Sequence, residues 1–248
     1  MHRMKTIAKW MALRAGRLEA IRSRIGSVGS LYGILRRQAV FRRTQIDLVI
    51  DVGANEGQFA REIRNMYHGE VISFEPVSAA YDKLVKASSH DPLWKAVQLA
   101  LGEENTTANI NVARFGTFSS FLKTSAFCDK HFGPDAAGMT VESVMVRRLD
   151  EVLAEVAPNL PQRRPFLKLD TQGFDLRVLK GLGDKLDRFF AIQCEISMIP
   201  LYEGMPHWTE TISFLERAGF SVVGFTPIVE DRLAVVEFDC LMIRSDQE

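Results

Sequence analysis

Hydrophobic positions change their spacing along the chain, and the changes divide it into parts. From Met4 to Ile25 the residues Met4, Ile7, Met11, Leu18, Ile21 and Ile25 recur at three- and four-residue steps, apart from one seven-residue gap, with arginines and lysines between them. That spacing predicts a basic amphipathic helix. From residue 45 onward short apolar, β-rich segments alternate with longer helical ones, the pattern of a mostly parallel sheet covered by helices on both faces, an α/β fold. Strands are expected at about 46–52, 70–75, 96–101, 165–170, 189–195, 219–226 and 235–243, and helices at about 57–66, 78–88, 175–181 and 208–218. Residues 103–150 break the alternation. ANINVARFG and MTVESVMV predict a hairpin around a polar, Gly- and His-containing segment, so an insertion is expected near the top of the sheet. The expected organisation is a basic helical extension over 1–44 and one domain over 45–248 that carries this insertion.

Composition narrows the class. With 248 residues, 46% hydrophobic and 25% charged, the chain is an ordinary globular protein with enough length for a large core. Its three cysteines, Cys128, Cys194 and Cys240, are odd in number and lack CxxC spacing, which argues against a disulfide framework or a zinc site and for a reducing cytoplasm. No apolar run exceeds four residues, so neither a transmembrane helix nor a signal-peptide core is expected.

The formal net charge of zero conceals an asymmetry. Residues 1–43 hold eleven Lys+Arg against one acid, Glu19, a net +10; the remainder, with 20 basic and 30 acidic residues, carries −10. Such a leader suits an anionic membrane surface, an acidic partner, packing on its own acidic domain, or an Arg-rich transit peptide. The expectation taken forward is peripheral contact with a membrane or a lipid-linked substrate through residues 1–43.

Chemistry is sought where strands end, because ligands of open α/β sheets lie beyond the carboxyl ends of the strands. The first strand ends in DVGANEGQF, where Gly53 and Gly57 let backbone pass close to a ligand and Asp51 and Asn55 orient it. The second ends in Glu75, 24 residues after Asp51, where a carboxylate accepts hydrogen bonds from both ribose hydroxyls. A nucleoside ligand follows. The dinucleotide pattern GxGxxG is absent, which disfavours a nicotinamide oxidoreductase. GxNxG after an aspartate suits S-adenosylmethionine better, because an acidic loop accommodates its ammonium; a ligand-free tight turn is the alternative for the glycines taken alone. Asp170 and Glu195 end neighbouring strands and are expected in the same crevice, one steering the ligand ammonium and the other polarising a substrate hydroxyl. Gly173 and Asp175 are read as turning the chain and starting the next helix.

These residues resemble the FkbM family of S-adenosylmethionine-dependent methyltransferases, in order across about residues 46–243. IDVGANEGQF looks like the family's ligand loop, which extends the expected cofactor set to Ala54 and Phe59. FEP looks like its ribose-binding acid, adding Pro76, and LALGEE like a third strand end near adenine, adding Ala100 and Leu101. VRRLDEVL, LKLDTQGFDLRVLKG, CEIS and LYEG look like later blocks. The resemblance implies a Rossmann-like class I methyltransferase fold, a seven-stranded, mostly parallel sheet with an antiparallel last strand. One departure stands out: many relatives carry an acid where this chain has Gln172, so no obligatory metal is expected.

The resemblance also implies methyl transfer to oxygen, on a hydroxyl of a carbohydrate, glycolipid or related secondary metabolite. Proximity and removal of one proton are the chemical requirements. His131 in the insertion is the candidate base, with Asp170 and Glu195 as alternatives and His207, after LYEGMP, as the runner-up and a possible acceptor contact. Ser119 and Ser120 resemble a family serine block and are candidates for the acceptor site, with Phe115, Phe118 and Phe121 as an apolar wall. A homodimer is compatible with this reading. Methylation of nucleic acid is the competing enzyme function, favoured by the leader but opposed by the net-negative remainder. A non-catalytic cofactor-binding interaction protein is the competing function of another class.

Overall fold

The computed structural model describes residues 31–114, 118–133, 138–231 and 233–245; the expected leader helix over 4–25 and Phe115 lie outside them. A helix over 31–44, α1, opens the described chain. It ends where Thr44 turns its hydroxyl back to the Val40 carbonyl at 2.7 Å and Gln45 adopts a positive φ of 52°, a conformation that stops an α-helix. No described helix is long and apolar enough to cross a membrane.

Seven strands form the main sheet. β1 (Leu48–Val52) lies at its centre, with β2 (Glu70–Phe74) and β3 (Trp94–Val97) on one side and β7 (Pro165–Leu169), β8 (Ala191–Ser197), β10 (Ala234–Arg244) and β9 (Phe220–Asp231) on the other. Neighbours are parallel except β10, which runs antiparallel to both β8 and β9. The chain builds outward from β1 to β3, then returns to β1's other edge as β7. That reversal leaves a crevice between β1 and β7, the usual ligand site of such sheets.

Each face of the sheet buries one apolar layer. Leu48, Ile50, Val52, Leu167 and Leu169 meet α5 (Leu149–Val156), α6 (Asp175–Lys180) and α7 (Trp208–Arg217) on one side. Val49, Val71 and Phe166 meet α1, α2 (Gln58–Ile63) and α3 (Ser78–Ser88) on the other. β1 and β7 are buried at every position, which explains why they read as apolar runs rather than alternations.

The insertion is a second sheet of order β4-β6-β5. β5 (Thr106–Ala113) and β6 (Gly138–Arg148) form the expected antiparallel hairpin, joined by α4 (Ala126–Phe132), which periodicity did not predict. The expected strand over 96–101 needs correction. It divides: β3 stays beside β2, while β4 (Ala100–Gly102) pairs with β6 in the second sheet. AVQLAL is a nearly continuous apolar run across the change of partner, so its pattern does not mark the division.

α1 is fixed by aromatic contact. The Phe41 ring meets Phe166, fully buried on β7, edge-on at 4.8 Å between centroids. Phe166→Ala is expected to cost about 3–5 kcal/mol in urea unfolding; a loss below about 1 kcal/mol would contradict the docking of α1 on this sheet.

Candidate functional site

The loop after β1 is shaped by backbone rather than by side chains. Gly53 and Ala54 both donate to the Phe74 carbonyl at 3.0 Å, so the loop folds over the end of β2. Gly53 has φ 77°, and a Cβ placed on it would stand 2.0 Å from the Asp170 carbonyl oxygen. Gly57 has φ 84° and lies against the Trp94 ring, so a side chain fits at neither position. Asn55 between them also takes a positive φ, 49°.

Glu75 closes the other side of this loop. Its Oε2 accepts from the Asn55 amide and its Oε1 from the Val77 amide, both at 2.8 Å. Burial pushes its carboxyl up to about 7 in spite of those bonds. Each oxygen retains a lone pair for an incoming donor, the arrangement that takes a ribose diol. Asp51, at the end of β1, accepts from the Ser73 hydroxyl at 2.9 Å, and Ser73 in turn accepts from the Trp94 indole at 3.0 Å. Burial raises Asp51 to about 7 as well. The Asn55 Oδ1 is buried with no hydrogen-bond partner among the described residues.

These groups open on a cavity of about 360 Å³, within the range of small-molecule sites. Asp51, Gly53, Ala54, Asn55, Phe59, Glu75, Pro76, Ala100, Leu101 and Asp170 of the expected cofactor set line it; Gly57 does not, and acts through the turn it makes. Ala100 and Leu101 reach the cavity from β4, which shows why the chain leaves the main sheet there. A diol acceptor, a carboxylate at the strand end and an apolar flank of Leu99, Ala100 and Leu101 fit the ribose, ammonium and adenine of S-adenosylmethionine.

Beside this cavity lies a knot of buried charge. Gln172 donates from Nε2 to Asp170 Oδ1 at 3.0 Å and to Glu195 Oε2 at 2.7 Å, and its Oε1 accepts from the Tyr202 hydroxyl at 2.6 Å. The Gln172 amide thus bridges two carboxylates. Asp175 accepts from the Thr171 amide at 2.8 Å and the Glu195 amide at 3.2 Å, locking the 170–172 turn to β8. Lys168 bonds Asp239 at 3.1 Å and stands 3.6 Å from Asp170. Burial alone would depress its ammonium, but Asp239, Asp170, Glu195 and Asp175 together hold it above its ordinary value. Burial first, then Asp170 and Glu237, push Glu195 well up, and burial raises Glu237 to about 7. Among the described residues no group of three or more His, Cys, Asp or Glu is arranged to hold a metal ion.

The structure separates other predicted residues. Ser119 and Phe121 line the cavity, whereas Ser120 is buried and bonds the Gln172 carbonyl at 2.7 Å, supporting the turn from outside. His131 is not brought over the crevice. It sits on α4 with its ring stacked on Phe127 at 5.5 Å and its Nδ1 3.7 Å from Asp231, because the last turn of that helix faces the end of β9, an outer strand, rather than the β1–β7 crevice. His207 caps α7, bonded to Thr209 and Glu210, and lies outside the cavity lining too. Lys168, Glu237 and Tyr202 were missed. The first two had a signal, charge inside a largely apolar strand: Lys168 in PFLKL, and Glu237 with Asp239 in AVVEFDCLMIR.

Residues 51–222, more than half of the chain, match the methyltransferase FkbM domain. The chain is 27% identical over 161 residues to methyltransferase sdnD of Sordaria araneosa, covering 55% of this chain and 61% of that protein's length. Among solved structures it is similar to fibrillarin of Aeropyrum pernix with natively bound S-adenosyl-L-methionine (9% identity, TM-score 0.44, 79% of this chain and 66% of that chain). It is also similar to precorrin-6y C5,15-methyltransferase of Geobacter metallireducens (11% identity, TM-score 0.41, 84% and 86%). The chain belongs to the FkbM family of S-adenosylmethionine-dependent methyltransferases, and the residues at its β1–β7 crevice fit that cofactor.

Proposed function

We propose that this protein transfers a methyl group from S-adenosylmethionine to a hydroxyl oxygen of a carbohydrate or glycolipid. The observation that carries the reading is the pair of carboxylates, Asp170 and Glu195, bridged by Gln172 at the edge of the cofactor cavity. Bound S-adenosylmethionine supplies an electrophilic methyl on a sulfonium. The protein's part is to align an acceptor oxygen with it and to receive one proton. Glu195 is the proton acceptor in this account: it lines the cofactor cavity beside Asp170, and its burial and its acidic neighbours make it more basic than an ordinary glutamate. Gln172 fixes the orientation of its carboxylate, and Tyr202 fixes Gln172. A polyanionic nucleic-acid acceptor is disfavoured by the concentration of carboxylates around a single, already paired lysine.

Glu195→Gln is expected to lower kcat by about 10²–10⁴ while leaving S-adenosylmethionine affinity within about twofold, read by single-turnover methyl transfer and calorimetry. His131→Ala should leave both unchanged, since it does not line the crevice. Equal losses in the two variants would refute the assignment. Cofactor binding should depend on pH through Glu75. Ribose hydroxyls prefer the ionised carboxylate, and the free carboxyl titrates near 7, so affinity should rise from pH 6 to 8 with proton release. Glu75→Gln should bind more weakly and with a shallower pH slope; affinity that falls as pH rises would contradict this role.

A further inference from the structure

A second cavity, of about 640 Å³, adjoins the first. The two share six wall residues: Gln58, Phe59, Lys168, Asp170, Glu195 and Ile228. The carboxylate pair bridged by Gln172 thus stands between them. On the far side the second cavity is walled by α1 and β9, held together where Gly33 packs on Thr226 and the Arg36 Nε donates to the Val223 carbonyl at 2.8 Å.

One wall residue of the second cavity is incompletely satisfied. Arg37 is only 6% exposed, and its guanidinium lies over the Phe59 ring at 5.0 Å. Its Nη1 donates to Gln193 at 2.8 Å and its Nη2 pairs with Glu62, but its Nε is buried with no partner among the described residues. A buried donor on a charged group without a partner is costly, and a ligand acceptor atom is the simplest way to satisfy it.

The charge of this cavity selects the ligand. Five carboxylates, Glu62, Asp170, Glu195, Glu230 and Asp239, face three cations, Arg36, Arg37 and Lys168. Lys168 is already paired with Asp239, Arg37 with Glu62, and Arg36 with a backbone carbonyl. A phosphate or sulfate would meet an excess of carboxylates over cations among the described wall residues. A neutral polyol suits it: its hydroxyls donate to the carboxylates and accept from Arg37 Nε, while its C–H faces lie on Phe59, Ile228 and Leu241.

We propose that this second cavity is the acceptor chamber, that it takes a neutral polyhydroxylated group such as a hexose ring, and that Arg37 of α1 is a binding residue donating to an acceptor oxygen. The inference rests on the cofactor reading of the first cavity for its chemistry, but not for its binding. An acceptor seated here presents a hydroxyl to the first cavity past Asp170 and Glu195, so α1, the end of the basic extension, contributes directly to acceptor recognition.

The test is saturation-transfer NMR and titration of the full chain with a panel of neutral methyl hexosides, methyl deoxyhexosides and N-acetylglucosamine, alongside glucose 6-phosphate, without and with S-adenosylmethionine. Neutral glycosides should bind and glucose 6-phosphate should not. Arg37→Lys, which keeps a cation beside Glu62 but removes Nε and the Nη1 bond to Gln193, should weaken the best glycoside about tenfold in a protein that still unfolds cooperatively and binds S-adenosylmethionine with nearly unchanged affinity. Ile228→Trp, on an exposed wall position, should block glycoside binding in a folded protein. Absence of neutral-glycoside binding across the panel, preference for the phosphate, or binding indifferent to both substitutions would each overturn the proposal. Failure of S-adenosylmethionine to bind would count against the cofactor reading alone, because glycoside binding is measured without it.

Discussion

No side chain fits between the α-carbon of Gly53 and the carbonyl of Asp170, and the architecture of the site depends on that contact. It draws the loop after β1 against the loop after β7, across the point where strand order reverses. The cofactor loop and the acidic pair therefore arrive together: Gly53 and Asn55 face Glu75 on one side, and Asp170 leads through Gln172 to Glu195 on the other. A Cβ at residue 53 would part the two loops and move binding and chemistry away from each other.

The second constraint is electrostatic. Asp51, Glu75, Asp175, Glu195 and Glu237 all sit in surroundings where burial disfavours ionisation. Lys168 and a set of backbone and side-chain donors offset part of that cost. A cationic ligand entering this site would favour the ionised carboxylates that burial disfavours. The amide at Gln172 fits this balance, because a further carboxylate between Asp170 and Glu195 would add a third charge to a pair that already repels.

Much of the fold was legible because the central strands are buried on both faces and appear as short apolar runs between helical periods. The glycine loop and Glu75 were legible for a different reason: backbone conformation and the ribose carboxylate restrict residue type at fixed spacing. The division of AVQLAL between two sheets was not, since strand pairing is a long-range property and a local apolar run is blind to the partner. His131 misled because a histidine in a polar insertion has suitable chemistry without any stated position; the insertion's helix turns it toward Asp231. Arg37 was hidden within a run of basic residues whose composition suggested a surface, although the helix buries it against Phe59 and Gln193.

Calorimetric titration of the wild type and of Gly53→Ala with S-adenosylmethionine, and in parallel with NADH, tests whether the β1–β7 crevice holds S-adenosylmethionine through backbone geometry at Gly53. Micromolar or tighter binding of S-adenosylmethionine alone, lost in a Gly53→Ala protein that still unfolds cooperatively, is the result this account predicts. Binding of NADH in its place, or S-adenosylmethionine binding unaffected by Gly53→Ala, would contradict it.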